Sequence, residues 1–211
     1  MRTCILIAGG DVTGSIVIPE GALVLCADCG LRHAERLGIR PDVVIGDFDS
    51  YTETLPHGIA TLRLPVEKDV TDTMQAVLYG AEQGCREFHI YGVFGGARID
   101  HSLANIQMLH TMYTKGLRGI LHHGTTLVTT QSPEDGTQRY PCFDGDFSIF
   151  AMTDTCEGVT IRGCKYNVEH ITLRNSFPLG VSNSITAEAA EITVQTGLLL
   201  IVQVRKPSPN P

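Results

Sequence analysis

Three short stretches of this sequence concentrate residues that could do chemistry. The first is Gly46-Asp47-Phe48-Asp49-Ser50, directly after the apolar run Val43 to Ile45. In an extended segment residues two apart face the same way, so Asp47 and Asp49 converge while Phe48 turns to the core. Two carboxylates at a strand end can hold a hard divalent cation, although an isolated pair suits a solvated loop with an Asx turn as well. The second stretch is Lys68-Asp69-Val70-Thr71-Asp72. Spacing i, i+3 sets Asp69 and Asp72 on one side of a first helical turn. Helix capping accounts for one of these acids. Both together with Lys68 fit a site that handles Mg²⁺ and a polyphosphate, with carboxylates for the metal and an ammonium for phosphate charge. The third is Gly92-Val93-Phe94-Gly95-Gly96-Ala97-Arg98-Ile99-Asp100-His101. Its glycines permit close backbone approach, a helix start there favours an anion, and Arg98 can pair bidentately with phosphate oxygens. His101 reads as a helix-start packing or hydrogen-bonding residue rather than a base. No GxxxxGK[ST] pattern occurs, which excludes an ordinary P-loop kinase.

These stretches need a scaffold that brings them together. Cys4 to Ala8, Leu23 to Ala27, Val43 to Ile45, Phe88 to Tyr91 and Gly119 to Leu121 read as short strands, apolar on both sides and therefore buried on both faces. Val70, Met74, Val77 and Ala81 predict an amphipathic helix that starts at Thr71 or Asp72 and stops at Gly84. A second helix follows Asp100, with Leu103, Ile106, Leu109 and Tyr113 as its apolar stripe, and a shorter one spans Leu31 to Leu37. Alternating strands and helices predict an α/β domain over 1–131 with a mostly parallel sheet, whose ligands bind at the strands' carboxyl ends. All three chemical stretches fall there. After the turn-rich Gln131 to Gly136 the pattern changes. Phe147 to Ala151, Val159 to Arg162, His170 to Leu173, Val181 to Thr186, Ala190 to Val194 and Leu198 to Val204 predict a small all-β sandwich or barrel over 137–206, with 207–211 as a frayed tail.

Length and composition set the class. At 211 residues the chain allows one large domain or two modest ones; it is 43% hydrophobic and 18% charged, ordinary for a globular protein. No apolar run approaches the roughly 20 residues needed to span a bilayer. A net charge of −7 with no basic block excludes nucleic acid as a partner. The opening apolar stretch Ile5 to Ala8 is too short for a signal peptide, and seven cysteines, an odd number, suit a reducing cytoplasm. Cys26-Ala27-Asp28-Cys29 has CxxC spacing, but no second CxxC completes a zinc site, so Cys26 reads as a small buried hydrophobe. His122 and His123 read as plain loop residues.

The motifs taken together resemble the thiamin pyrophosphokinase family. The matching pieces are Ala27-Asp28 with Gly30, Gly46 to Ser50, Lys68 to Asp72, Gly95 to His101 with Asn105, Gly163-Cys164-Lys165-Tyr166 and Gly180-Val181-Ser182-Asn183. They run through both halves in the family's order. The resemblance implies an N-terminal ATP-binding catalytic domain, a C-terminal β-sandwich contributing to a thiamin site, and a homodimer whose interface completes that site. It implies that Asp47, Asp49 and Asp72 hold Mg²⁺, with Asp69 and Asp100 in the same acidic cluster. Lys68 and Arg98 then face the phosphates of ATP, and Gly9, Gly10, Asp28, Gly30, Gly95, Gly96 and His101 lie on the nucleotide side. Tyr166, Ser182 and Asn183 fall to thiamin. The implied reaction moves pyrophosphate from Mg·ATP to the thiamin hydroxyl and releases AMP. Two alternatives stay open: a pyrophosphokinase for a pterin alcohol, and a non-catalytic sensor of thiamin or nucleotide.

Overall fold

The computed structural model describes residues 2–47, 58–65, 69–96 and 98–207. The chain forms two compact units, Met1–Gly124 and Thr125–Pro211. The first contains strands β1 (Arg2–Ile7), β2 (Leu23–Ala27), β3 (Val43–Gly46), β4 (Ala60–Arg63), β5 (Cys85–Tyr91) and β6 (Arg118–His123), with helices α1 (Gly30–Arg36), α2 (Asp72–Glu82) and α3 (Ile99–Thr114). Its strands lie in the order β4-β3-β2-β1-β5-β6, each parallel to its neighbour. The chain builds outward from β1 to β4 and then starts again at β5 on the other side of β1. That reversal is where ligands bind in open α/β sheets.

Continuous apolar runs explain the centre of the sheet, since every residue of β2 and β3 is buried. Helix α2 starts where the sequence places it: the Thr71 hydroxyl accepts a hydrogen bond from the Met74 amide at 3.2 Å, and Met74 and Val77 face the core. Helix α3 is rotated from expectation. Its buried face is Asn105, Met108, Leu109 and Met112, while Leu103 is 58% exposed. The four polar or flexible-chain positions at 105, 108, 109 and 112 fit a helical face as well as the expected stripe does, and packing on β6 selects them. The sequence pattern also overlooks β4, which is only four residues long and exposed throughout.

The second unit is all-β and antiparallel. Its strands are β7 (Thr126–Gln131), β8 (Gln138–Pro141), β9 (Gly145–Ala151), β10 (Thr155–Arg162), β11 (Val168–Arg174), β12 (Ala189–Thr193) and β13 (Leu199–Arg205). Strand β13 pairs with β7 and β9, and the other four run β11-β10-β12-β8. Phe147, Ile149, Leu199 and Ile201 from the first sheet share a core with Val159, Ile161, Leu173 and Ile192 from the second, as in a sandwich. This unit begins ahead of the turn-rich stretch because β7 bonds along its length to β13. The stretch itself is a 3₁₀ turn, Pro133–Asp135, closed by a capping box between Ser132 and Asp135. Val181 to Thr186 makes isolated bridges, Phe147 with Asn183 and Cys164 with Ile185, in place of the expected strand. Cys26 is fully buried, and burial pushes its thiol up to about 12, as befits a packing residue. Among the described residues no helix is long and apolar enough to cross a membrane.

Candidate functional site

A cavity of about 380 Å³ opens in the first unit at the carboxyl ends of β1, β2 and β5. Gly9 and Gly10 line it after β1, and Asp28 and Cys29 after β2. Asp72 enters from the start of α2, while Gly95, Gly96, Arg98 and His101 enter from the loop and first turn of α3. Residues from three separate sequence motifs thus meet in one place, as the parallel sheet requires.

The walls are backbone. Beyond the strand ends β1 and β5 stay zipped together, the Ala8 amide donating to the Tyr91 carbonyl at 2.8 Å, Gly10 to Gly92 at 2.7 Å and Asp11 to Phe94 at 2.8 Å. A Cβ on Gly10 would stand 2.6 Å from the Gly92 oxygen and 2.7 Å from that of Phe94, so no other residue permits this approach. Asn105, buried on α3, donates from Nδ2 to the Val93 carbonyl at 2.8 Å and fixes the glycine loop over the helix start. The family motif includes this residue, and its role as a loop anchor becomes visible only with the fold. Gly30 lies next to Cys29, which lines the cavity, and a Cβ there would strike the Ile7 carbonyl, so its lack of a side chain lets α1 begin tight against β1.

Carboxylates crowd one side. Asp28 sits at φ +47°, its amide bonded to the Ile45 carbonyl at 2.8 Å. Burial raises the Asp28 carboxyl above its ordinary value, hydrogen bonds from Cys29 oppose that rise, and the charges of Asp72 and Asp47 add to it. Its Oδ1 is buried with no hydrogen-bond partner among the described residues. Asp49 and Lys68 lie outside the described residues. Asp69 is exposed and does not line the cavity. Asp100 turns to Arg98, whose Nε and Nη2 reach its two oxygens at 2.9 and 2.7 Å, and this pairing holds the exposed Asp100 carboxyl well below the usual range. Among the described residues no three candidate ligands are close enough together to hold a metal ion.

A stability consequence follows from Asp28. Because its pKa is raised, the folded protein holds that proton more tightly than the unfolded chain, and stability is lost as pH rises through the carboxylate range. Asn carries no charge and tolerates a positive φ at least as well. Asp28→Asn is therefore expected to melt at a higher temperature than the parent at pH 7, with the gap closing as the pH is lowered. A lower melting temperature at pH 7 would show that the carboxylate is compensated in the fold.

In the second unit the Gly163–Tyr166 and Gly180–Asn183 motifs meet through one side chain. Buried Asn183 donates from Nδ2 to the Tyr166 carbonyl at 2.8 Å and accepts from the Tyr166 amide at 3.0 Å. Its amide group is thus committed to holding the neighbouring loop. Tyr166 itself is 59% exposed. Ser182 is exposed and sits at φ +55°, with its amide bonded to the Ser148 hydroxyl at 3.0 Å. A non-glycine residue in the left-handed region costs conformational energy and is found mostly where a side chain must be presented in one direction.

Comparison with known proteins supplies the assignment. A model described as "Thiamin pyrophosphokinase, catalytic domain" matches residues 17–121, and one described as "Thiamin pyrophosphokinase, vitamin B1 binding domain" matches residues 137–199. The chain belongs to the thiamin pyrophosphokinase family. The thiamine pyrophosphokinase of Bacillus subtilis (strain 168) is 29% identical over 222 residues, 96% of this chain and 99% of that protein. The fold agrees as well. The crystal structure of the Bacillus subtilis thiamine pyrophosphokinase superposes with a TM-score of 0.89 at 23% identity, covering 98% of this chain and 100% of that one. A thiamin pyrophosphokinase family protein from Enterococcus faecalis does so with 0.83 at 24% identity and the same coverage. An α/β unit followed by a small β-sandwich is the family's architecture, and the chain is an enzyme of the family's ATP-dependent diphosphotransferase class.

Proposed function

We propose that this protein transfers the pyrophosphoryl group of Mg·ATP to the hydroxyl of thiamin, giving thiamin diphosphate and AMP. The observation that carries the reading is the convergence of Gly9, Gly10, Asp28, Asp72, Gly95, Gly96 and Arg98 on one cavity, in a chain that matches both domains of the family. The glycine loops would receive the phosphates against backbone amides at the start of α3, where the helix dipole favours negative charge. Arg98 would exchange its Asp100 partner for phosphate oxygens, a low-cost swap because the present pair is exposed. Lys68 and His101 would add cationic and hydrogen-bonding contacts.

The acid side of the cavity fits a magnesium ion. Asp28 carries a buried, unsatisfied oxygen beside two further carboxylates, and all the donors are hard oxygens. Asp47, Asp49 and Asp72 would hold the ion, with Asp28 next to them and Asp69 and Asp100 at the rim. When bound, the ion would neutralise phosphate charge and align the transferring group. Positioning and charge neutralisation are what such a transfer needs, and a strong base is not required.

Tyr166 and Ser182 would meet thiamin, with Asn183 holding both loops in place. The exposed ring of Tyr166, which carries the Lys165 ammonium 5.2 Å from its centroid, would stack on the aminopyrimidine. Tyr166→Ala is accordingly expected to raise the KM for thiamin about tenfold or more while the KM for ATP changes little. A rise in the ATP KM instead would put the thiamin pocket elsewhere.

We also read the protein as a cytoplasmic homodimer. The second unit exposes Tyr166, Phe177, Leu179 and Val181, large apolar groups that a second copy would cover. Specific activity should then fall on dilution in step with dissociation seen by sedimentation; a fully active monomer at assay concentration would exclude both the dimer and a shared site. The test of the activity itself is AMP release with and without thiamin. Release that depends on thiamin supports the reading, release with a pterin alcohol alone favours the other acceptor, and binding without release points to a sensor.

A further inference from the structure

Strand β9 holds the Gly180–Asn183 segment with three consecutive residues. The Ile149 amide donates to the Gly180 carbonyl at 2.9 Å and the Phe147 amide to the Asn183 carbonyl at 2.9 Å, so the segment follows the edge of the strand. It can lie this close because residue 180 is a glycine, where a Cβ would strike the Ile149 carbonyl oxygen. Between the two anchors the backbone leaves the extended conformation, with Ser182 at φ +55°. The amide of this turned residue is taken by a side chain, donating to Ser148 Oγ at 3.0 Å.

Ser148 is placed where a serine on a sandwich strand is ordinarily wet. Phe147 and Ile149 point into the shared core, so alternation along β9 turns Ser148 to the opposite face. It is nevertheless only 7% exposed. A buried hydroxyl needs a partner, and this one finds it in the backbone of the one residue of the segment that holds a left-handed conformation. That conformation is unfavourable for serine, and the hydrogen bond offsets the cost. The next residue works in the same way on the other loop: Asn183 Oδ1 accepts from the amides of Tyr166 at 3.0 Å and Ser184 at 2.9 Å. Ser182 and Tyr166 are thus each set by a buried polar side chain that is itself out of the solvent.

We infer that Ser148 is a positioning residue for the alcohol substrate, acting through Ser182 by fixing the direction in which that exposed side chain is presented. The inference rests on the proposed function, which puts Ser182 against thiamin. Without the Ser148 hydroxyl, Ser182 relaxes toward the negative φ that serine prefers and its own hydroxyl swings away. The loss falls on the acceptor alone, because the phosphate cavity is built from residues of the first unit.

Kinetics and thiamin titration calorimetry on the whole protein test this. Ser148→Ala and Ser148→Cys, the second keeping the volume while weakening the acceptor, are each expected to raise both the KM and the dissociation constant for thiamin about tenfold. The kcat should stay within about threefold and the KM for ATP within about twofold. Ser182→Gly removes the hydroxyl that Ser148 directs, so adding Ser148→Ala to it should weaken thiamin binding by no more than about twofold further. Should Ser148→Ala fail to fold, Ser148→Cys takes its place in each comparison. Thiamin affinity unchanged in the folded variants, an equal rise in the ATP KM, or losses that add fully in the double variant overturn the inference, while thiamin-dependent AMP release by the parent keeps the proposed function. Thiamin binding that the variants weaken, in a protein that releases no AMP, overturns the proposed transfer alone. Absence of thiamin binding to the parent overturns both.

Discussion

Asp47→Asn and Asp72→Asn are each expected to lower the rate of thiamin-dependent AMP formation by about a hundredfold or more, with the thermal melt no lower than that of the parent. The reasoning is electrostatic. Asp47 and Asp72 both bear on Asp28 through their charges, and burial already holds the Asp28 carboxyl above its ordinary value. Concentrating anionic groups in this way costs stability unless a cation is brought in. Replacing one with an amide keeps the shape and relieves the repulsion, so the fold should gain or stay level while affinity for Mg²⁺ falls. The measurement is a magnesium titration of activity beside a melting curve. Near-parental turnover at saturating magnesium in Asp72→Asn would remove that residue from the metal site, and a collapsed melting curve would show that its role is structural.

The second large effect is expected from Gly10→Val. The new Cβ would fall 2.6 Å from the Gly92 carbonyl oxygen and 2.7 Å from that of Phe94, far inside contact distance, and both neighbours are backbone. Relief requires parting the loops that follow β1 and β5. The expected loss is about 3 kcal/mol or more of stability, together with nearly all nucleotide binding, because the phosphate cavity is walled by the same loops. Chemical denaturation and tripolyphosphate titration measure the two parts. A soluble variant with parental stability would mean that the loops can separate freely.

Much of this was legible in the sequence because the relevant signals are local. Thr71 caps α2 and apolar runs mark β2 and β3, all from residue type and spacing alone. The parallel sheet then determines that loops following its strands share an edge, and Asp28, Asp72 and Arg98 do meet there. What the pattern left out depends on tertiary contacts. Strand β4 is short and exposed, and it is its pairing to β3 that makes it a strand. Rotation of α3 follows from packing on β6, which no helical period reveals. Gly30 and Gly10 look alike in sequence, yet one seats a helix and the other closes a loop. The roles of Asn183 and Asn105 as anchors are likewise invisible until their carbonyl partners are in place. His122 and His123, expected in a loop, instead end β6, and the ring contacts of His122 with His89 and Tyr91 depend on adjacency across a sheet, which is not a spacing along the chain.

The zipper between the β1 and β5 loops also bears on when the protein acquires its site. Gly10 and Gly92 belong to distant parts of the chain, and their pairing closes a long loop that includes β2, β3, β4 and α2. Such non-local closure is entropically slow and comes after local helices have formed. A chain emerging from the ribosome as far as α2 would carry Asp28, Asp47 and Asp72 with nothing to face them, since the glycine loop and Arg98 are still to come. The phosphate cavity is therefore complete only once β5 has docked against β1, because the glycine loop and Arg98 that wall it follow β5 in the chain.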